Sequence, residues 1–599
     1  MNLSQHCFHK TRTNTIMVSL LIAPIMLVIN LLPFSTQFID QHIQNTQAEG
    51  PEQDYWLGEF TRLEAMYRMT WYNNFVRFEE TSLPQGDGAL IGWIDGSYAL
   101  PAYLDMYEWN GDKTYLERFI ERSRQLLTYQ WDANGDGLVG WPTSRYSTNY
   151  VANSRFEESG LNWIGIDADI NLIKNADGDP VHLFRVWGPG CSMVIPGVNN
   201  GAYHLQLRSE ESVSQVLSAL PIRAKFNLRM NAKIPPDMHL NIRLKQAHDG
   251  YEDRVLDRNA TRDELRGPQD WQLFSSVVEI IPGSIVTLTL GAYSDSSIST
   301  AILIDNVVLS PFEEYLAEEF ALAGNLARFA VIVEKNPNLT QYSSIAEQFA
   351  TQAADIAEKW QPYWRWIDQT QGVYVAPYDD SLPAFRGRTL PYNMMSLAGS
   401  AQAWLGQLPY MNDAPKYQSQ AKALANTLHS ALRPNPDRPD ALLWNYNDSL
   451  LPTDPAPNDP PSPNVEDISH AGPSASFMGQ MRRLGEVFTD EDIAGVAETL
   501  AHVVWNQSET MPVFLRHLDG RDGPISPRLG MPYYRHLDLV GSPDLQQAVT
   551  FAWQNAQTYL ACHVQERTSL TGRNLSVPAL MLLRTESDHW TFFLPLVEQ

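Results

Sequence analysis

Residues 465–471 read Val-Glu-Asp-Ile-Ser-His-Ala and place two adjacent carboxylates, a hydroxyl and an imidazole in one short stretch. Neighbouring carboxylates raise one another's pKa, which suits a general acid at neutral pH. A carboxylate beside an imidazole orients and charges it, which suits a general base. Glu466, Asp467 and His470 are therefore candidate catalytic residues. The plainer alternative is a helix start, with Asp467 or Ser469 as N-cap and a satisfied histidine. The cluster directly follows 452–463, a Pro- and Asp-rich stretch that reads as a long loop.

Three further groups have chemical character. Segment 385–393 holds Arg386 and Arg388, whose forked guanidinium groups fix carboxylates or hydroxyls. Pro391 sits at a helix start, followed by Tyr392 as a proton donor and Asn393 as a neutraliser of a uronic carboxylate. An ordinary helix start with surface arginines would read the same way. Segment 92–98 sets Asp95 beside Trp93. That pairing binds sugar hydroxyls under a stacking ring, or else caps a helix and fills a core. Arg516, His517 and Tyr534 lie in loops rich in polar aromatics and are candidate cleft walls.

Residues 132–138, Asp-Ala-Asn-Gly-Asp-Gly-Leu, resemble the start of a calcium loop. Asp132, Asn134 and Asp136 offer alternating oxygens. The twelfth position is Thr143 rather than Glu, so a plain Asx-Gly turn fits equally. There is no P-loop, dinucleotide fingerprint, zinc-protease motif or nucleophile elbow. Three cysteines, Cys7, Cys191 and Cys562, make neither a disulfide framework nor a zinc site.

The elements that must position these groups follow from periodicity. Apolar residues at helical spacing predict helices at 58–72, 95–107, 112–129, 312–335, 342–360, 390–405, 417–432, 470–484, 490–505 and 545–560. Between the third and fourth of these the period changes from helical to two. Strands are expected at 203–207, 224–229, 240–244, 285–290 and 301–309, with turn residues between. A β-sandwich thus interrupts a helical body.

The opening of this block, 153–160, and its closing strand, 301–309, resemble the jelly-roll, galactose-binding-like carbohydrate-binding modules. Segments 215–217 and 271–274 fit that family's rhythm. The resemblance implies a structural calcium held near the termini, here by Glu157 and Asp305. The helical part resembles the (α/α) barrels of the six-hairpin glycosidase type at 92–95, 390–393 and 466–471. That superfamily includes glycoside hydrolases, polysaccharide lyases and uronate epimerases, all with a cleft at one end of the toroid.

The expected fold is mainly α, an (α/α) barrel of helical hairpins with an inserted all-β jelly-roll sandwich. The expected divisions are 1–53 as signal or anchor and linker, 54–152 and 312–599 as barrel, and 153–311 as the inserted module. The leading function is hydrolysis of a polysaccharide or oligosaccharide, with Asp95 paired with Glu466 or Asp467. The runner-up is a lyase or epimerase, with His470 and Tyr392 as base and acid. A non-catalytic glycan-binding surface protein is the third reading. Calcium is at most structural, and no cofactor is needed for the chemistry.

Composition bounds the partners. Of 599 residues, 43 are basic and 69 acidic, a formal net charge of −26 that argues against nucleic acid. The 17 Trp and 25 Tyr suit either a large core or stacking on sugars. A basic patch, His9, Lys10 and Arg12, precedes an apolar run at 16–34. This reads as a secretory signal or a retained membrane anchor, with the rest of the chain outside the cytoplasm.

Overall fold

The computed structural model describes residues 51–68, 88–152 except 134, and 301–452 except 379–381, 383 and 384. It also describes 454, 465–507, 514–521, 524, 525, 579 and 582. In the β region it describes 164–166, 171–174, 184–186, 193–195, 203–217, 220, 225–248, 251–260 and 272–294. The apolar run at 16–34, the helix expected at 545–560, and Asn134, Glu157, Cys191, Tyr534 and Cys562 lie outside these residues. The chain falls into two compact units, Met1–Tyr55 and Trp56–Gln599. The functional elements all belong to the second. Among the described residues no helix is long and apolar enough to cross a membrane.

The fold is mixed, with helices and antiparallel sheets. Helix α1 spans Pro51–Tyr67 and buries Phe60, Leu63 and Tyr67 at helical spacing. A turn at Gly88–Leu90 leads into a π-helical stretch, Ile91–Ala99, and then α2, Leu100–Asn110. Helix α3, Lys113–Leu127, starts at Asp112, whose side chain accepts the Thr114 N–H at 2.9 Å. Its buried apolar residues, Tyr115, Leu116, Phe119, Ile120 and Leu126, form one stripe that also carries the buried Arg122 and Ser123.

Among the described residues twelve strands follow, in two five-stranded sheets and one pair, β3 (Phe184–Val186) with β4 (Met193–Ile195). One sheet runs β1 (Ile164–Ile166), β6 (Ser212–Leu217), β11 (Ile285–Ser294), β8 (Met238–His248) and β9 (Tyr251–Ala260). The other runs β10 (Gln272–Glu279), β7 (Lys225–Lys233), β12 (Ala301–Pro311), β5 (Tyr203–Arg208) and β2 (Asn171–Lys174). Every pairing is antiparallel. Strand β8 shows why: Met238, Leu240, Ile242 and Leu244 alternate with more exposed residues, so one face can be buried. Leu207, Leu228 and Ile304 of one sheet share a core with Val213, Leu244 and Leu288 of the other. That is a sandwich.

The sandwich is an insertion with adjacent ends. Thr143 and Glu313 exchange backbone hydrogen bonds at 2.8 and 2.9 Å, and the Tyr150 N–H bonds to Leu309 O at 2.9 Å. Trp131 packs edge-on against Phe312, 5.2 Å between centroids, beneath the Lys225 ammonium. Trp141 is core, its indole N–H bound to Leu126 O at 2.8 Å.

Helices then resume as α4 (Leu316–Lys335), α5 (Ser343–Trp360), α6 (Tyr392–Leu405), α7 (Ala414–Ala431), α8 (Ile468–Arg483) and α9 (Asp490–Glu498). Consecutive pairs α2–α3, α4–α5, α6–α7 and α8–α9 pack together. The first helical segment of each pair also packs on the next: the π-helical stretch on α4, α4 on α6, and α6 on α8. One continuous core joins helices from before and after the insertion. Glycine permits the closest of these approaches. A Cβ on Gly92 would lie 2.4 Å from the Glu318 Cβ.

Candidate active site

The site is built on a short three-stranded arrangement at the start of α8. Glu466 N–H bonds to Trp444 O on one side, and Glu466 O accepts Leu518 N–H on the other, both at 3.0 Å. Ile468 N–H bonds to Arg516 O at 2.9 Å, and Asp467 bridges His517. His517 Nδ1 lies 3.0 Å from Val465 O. Residues near 445, 466 and 517, distant in sequence, are thereby held side by side. On the first segment's far side, Tyr392 N–H bonds to Tyr446 O at 3.0 Å.

Within this frame Asp467 caps α8. Its Oδ1 accepts the His470 N–H at 3.1 Å, and its Oδ2 lies 2.6 Å from His470 Nδ1. The capping and dyad readings of this motif are therefore both present in one carboxylate. His470 is partly open, with 35% of its side chain exposed. Its ring meets Tyr446 edge-on, 5.1 Å between centroids. Tyr446 in turn meets Phe385, 6.1 Å away, which brings the Arg386 loop to the same neighbourhood.

Glu466 is different. It is fully buried, its Oε1 accepts the Asp467 N–H at 3.1 Å, and its Oε2 has no protein partner. Burial, then the charge of Asp467, pushes its carboxyl well above the usual range. Burial likewise raises the Tyr446 hydroxyl, aided by the negative charges of Glu466, Asp467 and Glu318. Glu318, in the first turn of α4, is thus near enough for its charge to act on Tyr446. Sequence reasoning missed it. Two acidic residues at a helix start read as complements to the helix dipole, and the sole signal was their place just after the insertion.

Asp95 does not belong to this opening, which corrects the expectation. It lies inside the π-helical stretch rather than at a helix cap, and it is sealed. Arg122 grips both its oxygens at 2.8 Å, and the Tyr67 hydroxyl donates to it. Trp93 is partly buried against the helical core, 6.4 Å from Tyr98.

Tyr392 is also buried, its hydroxyl donating to Asp448 Oδ2 at 3.0 Å. Burial and that carboxylate push the phenol up, away from easy proton exchange. Tyr446 holds the more open place beside His470. Asn393 is buried and its Oδ1 lacks a protein partner. Arg386 and Arg388 are exposed and flank Gly387, which adopts φ 68° under the Tyr378 ring. Arg516 is exposed.

The expected calcium ligands are engaged locally. Asp132 accepts the N–H groups of Gly135 at 2.6 Å and Gly137 at 2.9 Å, and Asp136 accepts that of Leu138 at 2.8 Å. This is Asx-turn geometry. Asp305 accepts the Asn306 N–H at 2.7 Å where the β12–β7 register shifts.

No protein-family model matches the chain. No curated protein matches it either. Solved structures similar to it include the carbohydrate-binding module TmCBM61 in complex with β-1,4-galactotriose. That match has 13% identity and a TM-score of 0.20, covering 28% of this chain and 99% of that one. The xylan-binding domain from family 22 matches at 13% identity and TM-score 0.19, over 27% and 96% of the two chains. A non-crystalline cellulose-specific module of family 28 matches at 13% and 0.18, over 27% and 96%. These neighbours are β-sandwich carbohydrate-binding modules. Identities and scores of this size carry no argument about activity.

Proposed function

We propose that this chain is an extracytoplasmic carbohydrate-active enzyme that hydrolyses glycosidic bonds of a polysaccharide or oligosaccharide. The observation that carries this reading is the gathering of Glu466, Asp467 and His470 at one helix start beside Tyr446, where the charge of Glu318 also acts. A concentration of carboxyl groups suits the oxocarbenium-like transition state of glycoside cleavage. It disfavours an anionic substrate. In this reading the helical part is an (α/α) ring whose first helical segments line the inside, as the succession of the π-helical stretch, α4, α6 and α8 suggests. The sandwich is its glycan-binding module. Glu318 replaces Asp95 as the carboxyl across the cleft and protonates the leaving oxygen. The Glu466–Asp467–His470 cluster serves the opposite side, where water attacks. Structural calcium, if present, takes no part in these steps.

One observation favours a second reading. His470, held by Asp467 and facing Tyr446, is an arrangement for removing and returning protons, as in a lyase or epimerase. Nearby Arg386 would then meet a uronic carboxylate. The negative surroundings weigh against it.

The test is turnover of purified protein on neutral and uronic glycans, read by product mass. Hydrolysis adds one water per bond cut, whereas elimination yields an unsaturated product absorbing in the ultraviolet. Glu318→Gln and His470→Ala should lose turnover and keep glycan binding. Binding without cleavage of any glycan would replace the enzyme reading with the binding-protein one. Neither binding nor cleavage would end both.

A further inference from the structure

We infer that Glu466, Asp467 and His470 together bind one divalent cation of the zinc or manganese class. One ligand-capable atom from each lies within 4.8 Å of the other two. No other group of three or more His, Cys, Asp and Glu side chains meets this closeness among the described residues.

A second observation is independent of that clustering. Glu466 is 0% exposed, and its Oε2 receives no hydrogen bond from the protein. Buried carboxylate oxygens are mostly satisfied, and among the described residues Glu466 is the one whose open oxygen also has two other ligand-capable side chains close by. A cation is the partner that also suits the two neighbours. The backbone is prepared for the task, since Glu466 is clamped by Trp444 and Leu518 on either side. Asp467 and His470, 23% and 35% exposed, leave a way in.

The donor set narrows the ion. Two carboxylates and one imidazole suit borderline divalent metals better than calcium, which prefers oxygen alone. Ligand atoms about 2.0–2.2 Å from zinc lie about 3.4 Å apart; no pair here exceeds 4.8 Å, and the 2.6 Å contact of Asp467 Oδ2 with His470 Nδ1 would give way to the ion. The N-terminus of α8 points here with roughly half a positive charge, which opposes a cation. Two carboxylates outweigh it, and Asp467 already caps that end. Three protein ligands leave a position for water or a sugar hydroxyl. A role for the ion in turnover rests on the hydrolase reading, while its binding does not.

The experiment is calorimetric titration of chelator-treated full-length protein with Zn2+, Mn2+ and Ca2+. One Zn2+ or Mn2+ should bind per chain, with Ca2+ at least tenfold weaker. Glu466→Gln and His470→Gln should each weaken binding at least tenfold with unchanged circular dichroism, while Asp132→Asn should leave it unchanged. Substituted Co2+ should show a visible d–d band that His470→Gln shifts, a readout that folding loss alone does not mimic. Absent stoichiometric binding, binding unaffected by these variants, or preference for Ca2+ would overturn the inference. Glycan cleavage by ion-free protein would leave the hydrolase reading standing and remove the ion from it. Ion binding without any cleavage would do the reverse.

Discussion

Asp95 and Arg122 form a closed two-pronged ion pair. Nε meets Oδ1 and Nη2 meets Oδ2, each at 2.8 Å, with both side chains at 0% exposure. Asp95→Asn keeps the shape and leaves Arg122 charged without its counter-ion. The expected loss is about 3–5 kcal/mol, measured as a fall in denaturant midpoint. A variant of unchanged stability with no turnover would instead restore Asp95 to the chemistry.

Glu318 and His470 should carry turnover. Glu318→Gln and His470→Ala are each expected to lower kcat by about 10²–10⁴-fold, the range for a missing general acid or base. Glycan affinity in native gels should stay within a few-fold. Asp467→Asn should lower kcat too, because it removes the charge beside the His470 ring. Equal turnover in wild type and Glu318→Gln would remove Glu318 from the mechanism.

Glu314 makes stability depend on pH. Burial, then the charge of Glu319, raises its carboxyl from 4.5 to about 7, against the opposing Lys359 ammonium at 3.0 Å. The folded state then holds a proton that the unfolded state has released. Its contribution is present below about 4.5 and is lost as pH rises through about 7. Glu314→Gln has no proton to lose. Relative to wild type it should gain stability between those two values and level off above. Denaturant midpoints across that range measure the difference, and parallel curves would contradict it.

Gly92 sets the gap between the π-helical stretch and α4. A Cβ there would meet the Glu318 Cβ at 2.4 Å and its Cα at 2.6 Å. Gly92→Ala should cost about 1–3 kcal/mol through overpacking. It should also displace Glu318, so turnover at temperatures where the variant is folded should fall. Thermal melts beside kinetics separate the two effects.

Much of the secondary structure was legible because periodicity survives in a single chain. The sequence-expected helix at 342–360 corresponds to α5 at Ser343–Trp360, and that at 390–405 to α6 at Tyr392–Leu405. Strand expectations at 240–244 and 285–290 fall inside β8 and β11, since one buried face imposes a period of two. The π-helical stretch was not legible. Its advantage is close packing of Gly92 and Gly96 on α4, a contact between distant segments.

The 465–471 motif announced itself because its groups are adjacent in sequence, and the same local geometry produces the cap and the Asp467–His470 contact. By itself the sequence determined local matters: where period two replaces helical period, and which residue types cluster. Tertiary structure alone decided which carboxylates are sealed and which stay partly open. It buried Asp95 against Arg122, sealed Glu466, and set the charge of Glu318 where it acts on Tyr446. Burial and charge pairing depend on what the folded chain places within a few ångströms, and one-dimensional spacing does not encode that distance.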